Sequence, residues 1–228
     1  MIRRGTVYQL EGGSPGLFGV LVLTNDTWNR RMGTVGVVPL RAPRDPDSAW
    51  TPWLGTTPLQ ASVGFLASFP TSLLGEIRLV LDPEDIAKVT QSLANLLHLE
   101  SLCDDPPIAP RSVVGAEPLP RWGEIYDAGP PVGESKQTKR YVVVSDERWN
   151  TMGRGAIAVR TTTQPKAWGT AFPVIEEGLA RACCGDATVL PNAQFDLRSR
   201  PRPSSLSLDD MVAIAHGLCD VFDLDVSH

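Results

Sequence analysis

A chain of 228 residues with a formal net charge of −5, 42% of it hydrophobic and 21% charged, has the composition of a globular protein that buries a core. The acidic balance argues against a broad charge-held surface for duplex nucleic acid, though not against a local basic groove. Gly and Pro number 20 each, which predicts many turns and short strands rather than long helices.

In chain order, Arg4-Gly5-Thr6-Val7-Tyr8 opens a first strand, and Gly12-Gly13-Ser14-Pro15-Gly16 a loop. Val20-Leu21-Val22-Leu23 shows no alternation, so it predicts a strand covered on both faces; it ends in a polar turn, Thr24-Asn25-Asp26-Thr27-Trp28-Asn29. Met32-Gly33 leads into a further strand over Thr34 to Pro39, and later strands are expected at Gly64 to Phe69 and Glu76 to Val80. Asp82-Pro83-Glu84-Asp85 is a helix start, with a cap, a proline at the first helical position and acids at the positive end. Ile86, Val89, Leu93, Leu96 and Leu97 follow at helical spacing.

The same order then recurs. Trp122-Gly123-Glu124-Ile125-Tyr126, the Gly- and Pro-rich loop 129–133, Tyr141-Val142-Val143-Val144-Ser145-Asp146-Glu147-Arg148-Trp149-Asn150, Met152-Gly153 and a strand over Ala156 to Thr161 repeat the first copy's frame. Further strands are expected at Leu179 to Cys184 and Ala187 to Leu190. Ser207-Leu208-Asp209-Asp210 starts a second closing helix with the stripe Met211, Val212, Ala215, Leu218 and Phe222. The expected organisation is a first module over 1–101, a Pro-rich semi-rigid linker over 102–120 and a second module over 121–228. Each module is expected to be a small curved antiparallel sheet or barrel with a helix packed across it.

No secretory signal is read at Met1-Ile2-Arg3-Arg4, because no sustained apolar run follows, and no stretch is long and apolar enough to span a bilayer. A cytoplasmic protein is expected. Cys103, Cys183, Cys184 and Cys219 form no Cys-x-x-Cys pair and have no His at ligand spacing, so neither a zinc site nor a disulfide framework is expected.

The segments Arg3-Arg4-Gly5-Thr6-Val7-Tyr8, Val20 to Asn29 and Gly33-Thr34-Val35-Gly36-Val37-Val38-Pro39-Leu40 resemble the opening of the MazF/PemK toxins, and more distantly the CcdB gyrase poisons of the same fold. The likeness is strong over the first forty residues and weaker beyond them. It implies a mainly β protein with α (α+β): two SH3-like barrels, each closed by a C-terminal helix, arranged as an internal pseudo-dimer within one chain. It also implies cleavage of single-stranded RNA without a metal or other cofactor, and an antitoxin protein as partner.

The family's site needs an Arg before the aliphatic strand and a Thr after the next. A guanidinium and a hydroxyl can take the charge that builds on phosphoryl oxygens when a 2′-OH attacks the neighbouring phosphate. The first copy has Leu17-Phe18-Gly19 and Arg41 at these places and lacks the pair. The second has Lys139-Arg140 and Thr161-Thr162-Thr163, so Arg140 with Thr162 or Thr161 could form the site, with Lys139 as an RNA contact; Glu134 and Lys136 lie in the preceding loop, to which the resemblance assigns proton transfer and RNA contacts. Trp28 and Trp149 could stack on bases or cover the barrel edge. Arg30 and Arg31, like Arg41 and Arg44, form a phosphate track or a solvated face. Trp50 and Trp53 either contact a partner or pin their own loop, and His98 and His216 read as structural. Three functions compete: an endoribonuclease working from the second copy, a degenerate binding or regulatory protein, and a gyrase poison. The C-terminal signature expected of the poisons is absent.

Overall fold

The computed structural model describes residues 2–99, 119–128, 139–152, 155–164, 168–176, 180–195 and 205–224. All but the last two residues of the expected linker lie outside them, as do Cys103, His228, the loop 129–138 and Leu179.

The aliphatic runs form strands, as their lack of alternation predicts. In the first half these are β1 (Thr6–Leu10), β2 (Leu17–Val22), β3 (Thr34–Arg41), β4 (Gln60–Ala61), β5 (Ala67–Pro70) and β6 (Leu74–Val80). In the second half they are β7 (Ile125–Ala128), β8 (Lys139–Val143), β9 (Gly155–Thr162), β10 (Val174–Ile175), β11 (Ala180–Ala182) and β12 (Thr188–Pro191). They make two antiparallel sheets, in the orders β4-β3-β2-β1-β6 and β10-β11-β9-β8-β7, with β5 also on β3 and β12 also on β9. Four α-helices complete a mixed α+β fold among the described residues: α1 (Asp26–Met32), α2 (Pro83–Leu96), α3 (Glu147–Met152) and α4 (Leu208–Phe222).

The expected closing helices are α2 and α4. Their stripe residues Val89, Leu93, Leu96 and Leu97, and Met211, Ala215, Leu218 and Phe222, are all buried. Ser207 caps α4, its side chain accepting from the Asp210 amide at 3.1 Å. Two expectations change. Gly64 to Phe69 is a 3₁₀ turn over Val63–Phe65 followed by β5, not one strand. The polar turns after β2 and β8 are instead the short helices α1 and α3.

The repeated Ser/Thr…Asn motif has a physical reason. Thr24 Oγ1 lies 2.6 Å from Asn29 Oδ1 and accepts from the Gly36 amide at 3.1 Å, while Asn29 Nδ2 donates to the Thr24 carbonyl at 3.0 Å. Ser145 and Asn150 repeat this: Ser145 Oγ lies 2.5 Å from Asn150 Oδ1 and accepts from the Ile157 amide at 2.9 Å. Each clamp ties a short helix to the strand on either side of it, and all four side chains are buried. Asn25 adds a cap, accepting from the Trp28 amide at 2.8 Å, and Gly33 ends α1 at φ +66°. Asn29→Ala should therefore lower the unfolding free energy by about 1–3 kcal/mol, since buried Thr24 atoms lose their partner. A shifted urea midpoint at unchanged m-value is the readout.

The two halves share one apolar core, which takes in Leu21, Trp28, Val38 and Leu93 of the first and Val142, Ile157, Phe172 and Leu218 of the second. Their contacts are reciprocal. The Asn25 amide donates to the Val221 carbonyl at 2.8 Å, and the Asp146 amide to the Leu96 carbonyl at 3.0 Å. The last turn of each closing helix thus gives a carbonyl to the start of the other half's short helix, satisfying groups that a helix end leaves without partners. Arg4 bonds Asp223 at 2.6 Å, and His98 Nδ1 lies 3.1 Å from Asp146 Oδ2. That contact gives His98 the partner that its lone position on the helix did not reveal.

Candidate active site

Tyr141 and Val142 of β8 pair with Arg160 and Val159 of β9. This register sets Arg140 beside Thr161, whose Oγ1 donates to the Arg140 carbonyl at 3.3 Å. Thr162 lies one position on, with its Oγ1 accepting from the Gln164 amide at 3.2 Å. The strand pair thus sets Arg140 and Thr161 side by side, with Thr162 next along β9; the Thr161 hydroxyl is turned to the Arg140 backbone and that of Thr162 to the Gln164 amide. Lys139 starts β8 opposite Ala128. Glu134 and Lys136 lie outside the described residues.

The Arg140 guanidinium does not stand open. Nη2 meets Glu176 Oε1 at 2.7 Å and Nη1 meets Oε2 at 3.1 Å, a bidentate pair. The Arg140 side chain is 44% exposed and that of Glu176 is 17% exposed. Glu176 follows β10 in a left-handed backbone conformation (φ +53°), and its amide donates to Asp210 Oδ2 of α4 at 3.3 Å. Glu176 was missed in the sequence because nothing around Pro173-Val174-Ile175 marks it. Only the β10–β11–β9 pairing brings it to Arg140.

The tryptophans are corrected by their burial. Trp28 is fully buried, stacked 5.6 Å from Phe172, tilted 5.6 Å from Trp168 and pressed on Gly185, so no base can reach it. Trp149 is partly buried, packed on Gly64 and edge-on to Trp50 at 5.4 Å. Both residues belong to the junction of the halves. A Cβ on Gly64 would lie 2.1 Å from the Trp149 ring, and one on Gly185 2.2 Å from the Trp28 ring. Gly64 and Gly185 stand at matching places, in Ala61-Ser62-Val63-Gly64 and Ala182-Cys183-Cys184-Gly185. Arg31 sits over the Trp168 ring at 5.4 Å and so braces the same junction, while Arg30 is exposed on α1. Trp50 ties its loop to the second half. Trp53 remains 44% exposed, with its indole N–H donating to the Asp45 carbonyl at 2.9 Å.

In the first half the positions equivalent to Arg140 and Thr162 are Gly19 and Arg41. Gly19 pairs with Leu40 where Arg140 faces Thr161, and Arg41 stands opposite Gln60 where Thr162 stands opposite Arg181. A Cβ at Gly19 would lie 2.7 Å from the Tyr8 carbonyl oxygen, so the backbone there excludes any side chain. Burial pushes the Cys184 thiol well above the ordinary thiol range, which removes it as a nucleophile. Among the described residues no three His, Cys, Asp or Glu side chains are grouped to hold a metal ion, and no helix is long and apolar enough to cross a membrane.

No family model and no curated protein matches the sequence. Among solved structures, the chain is similar to an endoribonuclease in complex with its cognate antitoxin from a mycobacterial species. That match is at 20% identity and TM-score 0.38, over 42% of this chain and 93% of that one. It is also similar to an endoribonuclease from a mycobacterial species, at 22% identity and TM-score 0.36, over 41% of this chain and 88% of that one.

Proposed function

We propose that this protein is a MazF/PemK-type endoribonuclease that cuts single-stranded RNA without a metal, from a single site in the second half of the chain. The observation that carries this reading is the placement of Arg140 beside Thr161 and Thr162 at the ends of β8 and β9. In the proposed reaction a ribose 2′-OH attacks the adjacent phosphorus. The bond to the following 5′-oxygen breaks and that oxygen takes up a proton as the 2′-OH loses one, leaving a 2′,3′-cyclic phosphate and a 5′-hydroxyl. Arg140 neutralises the charge gathering on the phosphoryl oxygens, and a Thr161 or Thr162 hydroxyl donates to one of them. The two halves are proposed to be tandem modules, 1–101 and 121–228, facing each other as an internal pseudo-dimer. The reciprocal bonds from Asn25 to Val221 and from Asp146 to Leu96 support that arrangement. The partners are single-stranded RNA and an antitoxin protein, in the cytoplasm.

The test is digestion of a long RNA in the presence of a chelator, followed by mapping of the new ends. Cyclic phosphate ends on RNA, with intact DNA of the same sequence, are the expected result. Uncut RNA would overturn the catalytic reading. A second reading, a non-catalytic binding protein of the same fold, draws on the Glu176 carboxylate, which already occupies the guanidinium that a phosphate would need. Intact RNA that is nonetheless bound identifies that case.

A further inference from the structure

A cleft of about 300 Å³ opens in the first half, between the β1–β2 loop and the end of β3, and Ser14, Gly16, Pro39, Arg41, Arg44 and Phe65 line it. Its volume is at the lower end of the range for small-ligand sites. Arg41 is fixed by Ser62, whose Oγ accepts from Nε at 3.0 Å and from Nη2 at 2.6 Å. The same guanidinium lies over the Phe65 ring, 5.6 Å from its centroid. A hydroxyl and a ring orient this cation without cancelling its charge. Among the described residues neither Arg41 nor Arg44 has a carboxylate within ion-pair distance. Phe65 is 58% exposed, a large ring held at the surface beside the Arg41 guanidinium, with Arg44 on the same cleft.

The second half is built differently at the same turn. The 3₁₀ turn that carries Phe65 is matched there by one over Cys184–Asp186, and Asp186 takes the place of Phe65. Asp186 is paired to Arg160 at 2.5 Å. Arg160 aligns with Pro39 and not with Arg41, so in the second half this turn carries a carboxylate matched to an arginine of the adjoining strand, whereas in the first half it carries an exposed ring beside an arginine with no carboxylate partner.

The geometry points to a nucleotide-binding subsite in the first half, where Arg41 and Arg44 hold a backbone phosphate and Phe65 stacks on the adjoining base. Paired guanidiniums and an exposed ring are complementary to an anion that carries a planar group, the repeating unit of a single strand. The subsite holds RNA and does not cut it, because Gly19 stands where Arg140 stands in the other half. It rests on the proposed RNA reading and assigns the first half the task of retaining substrate.

The test is fluorescence anisotropy with the full chain and a labelled 2′-O-methyl RNA hexamer, which cannot undergo 2′-OH attack. Arg41→Ala and Phe65→Ala are each expected to weaken binding about tenfold, and Arg41→Lys to weaken it less than Arg41→Ala. AMP should compete better than inorganic phosphate. Wild-type binding by either alanine variant, or phosphate competing as well as AMP, overturns the subsite. Phe65 is exposed, so its loss should leave the fold intact, and an unchanged urea midpoint checks this. The two proposals fail separately. Chelator-resistant cleavage with undiminished hexamer binding in Arg41→Ala sinks only the subsite. Lost binding in Arg41→Ala, with no RNA cut by the wild type, sinks only the nuclease.

Discussion

Trp28→Ala should lower the unfolding free energy by about 3–5 kcal/mol, the largest stability effect expected of a single substitution in this chain. Trp28 is 0% exposed and sits in the one core that both halves share. Its ring touches Phe172 and Trp168 of the other half and lies over Gly185. Removing it opens a cavity lined by both halves, and the bonds around it hold that lining in place. The Asn25 amide to the Val221 carbonyl and the Thr24–Asn29 clamp both resist collapse into the space. The indole N–H finds no acceptor among the described residues, so packing rather than hydrogen bonding carries the contribution. Trp149→Ala, at the matching but partly exposed position, should cost less. Guanidinium unfolding of both variants reads the order; a loss below about 1 kcal/mol for Trp28→Ala is incompatible with the burial described.

Much of the secondary structure could be read in the sequence because it is written in local signals: Gly5 and Gly123, Thr24…Asn29 and Ser145…Asn150, and the helix starts after Asp82 and Ser207, of which Ser207 caps with its side chain and Asp82 does not. Those signals act within a few residues, and the strands and closing helices follow from them. What the tryptophans do was not legible. Stacking on a base and packing on a distant Gly both call for a Trp, and only the three-dimensional arrangement of Gly64 and Gly185 separates the two. The short helices α1 and α3 were hidden for a related reason. Thr24 and Ser145 turn their hydroxyls inward to Asn side chains, so a helix of one or two turns persists without a long apolar stripe. At the candidate site, the setting of Arg140 beside Thr161 follows from strand register, which the sequence left open between Thr161 and Thr162. Glu176 was not, since it comes to Arg140 from another strand's end and its partner amide contact is to α4.

Arg140→Ala should reduce RNA cleavage by about 10²–10³-fold, the loss typical of removing one group that stabilises developing negative charge. Stability should hardly move. The Arg140 side chain is 44% exposed and that of Glu176 17%; exposed ion pairs contribute about 0–1 kcal/mol, and truncating Arg140 opens the Glu176 carboxylate to water. Lost activity with an unchanged unfolding midpoint would therefore report chemistry and not folding. Glu176→Gln separates two roles for the carboxylate. Glu176 competes with a phosphate for the same two guanidinium nitrogens, so neutralising it should lower KM and leave kcat within a few-fold, with the strongest effect at low salt. If kcat instead falls along with that of Arg140→Ala, Glu176 is a positioning residue that holds the guanidinium in its working orientation, and the competition account is wrong. Full activity in Arg140→Ala would remove Arg140 from the reaction and leave Arg181, opposite Thr162 on β11, as the neighbouring guanidinium to test next.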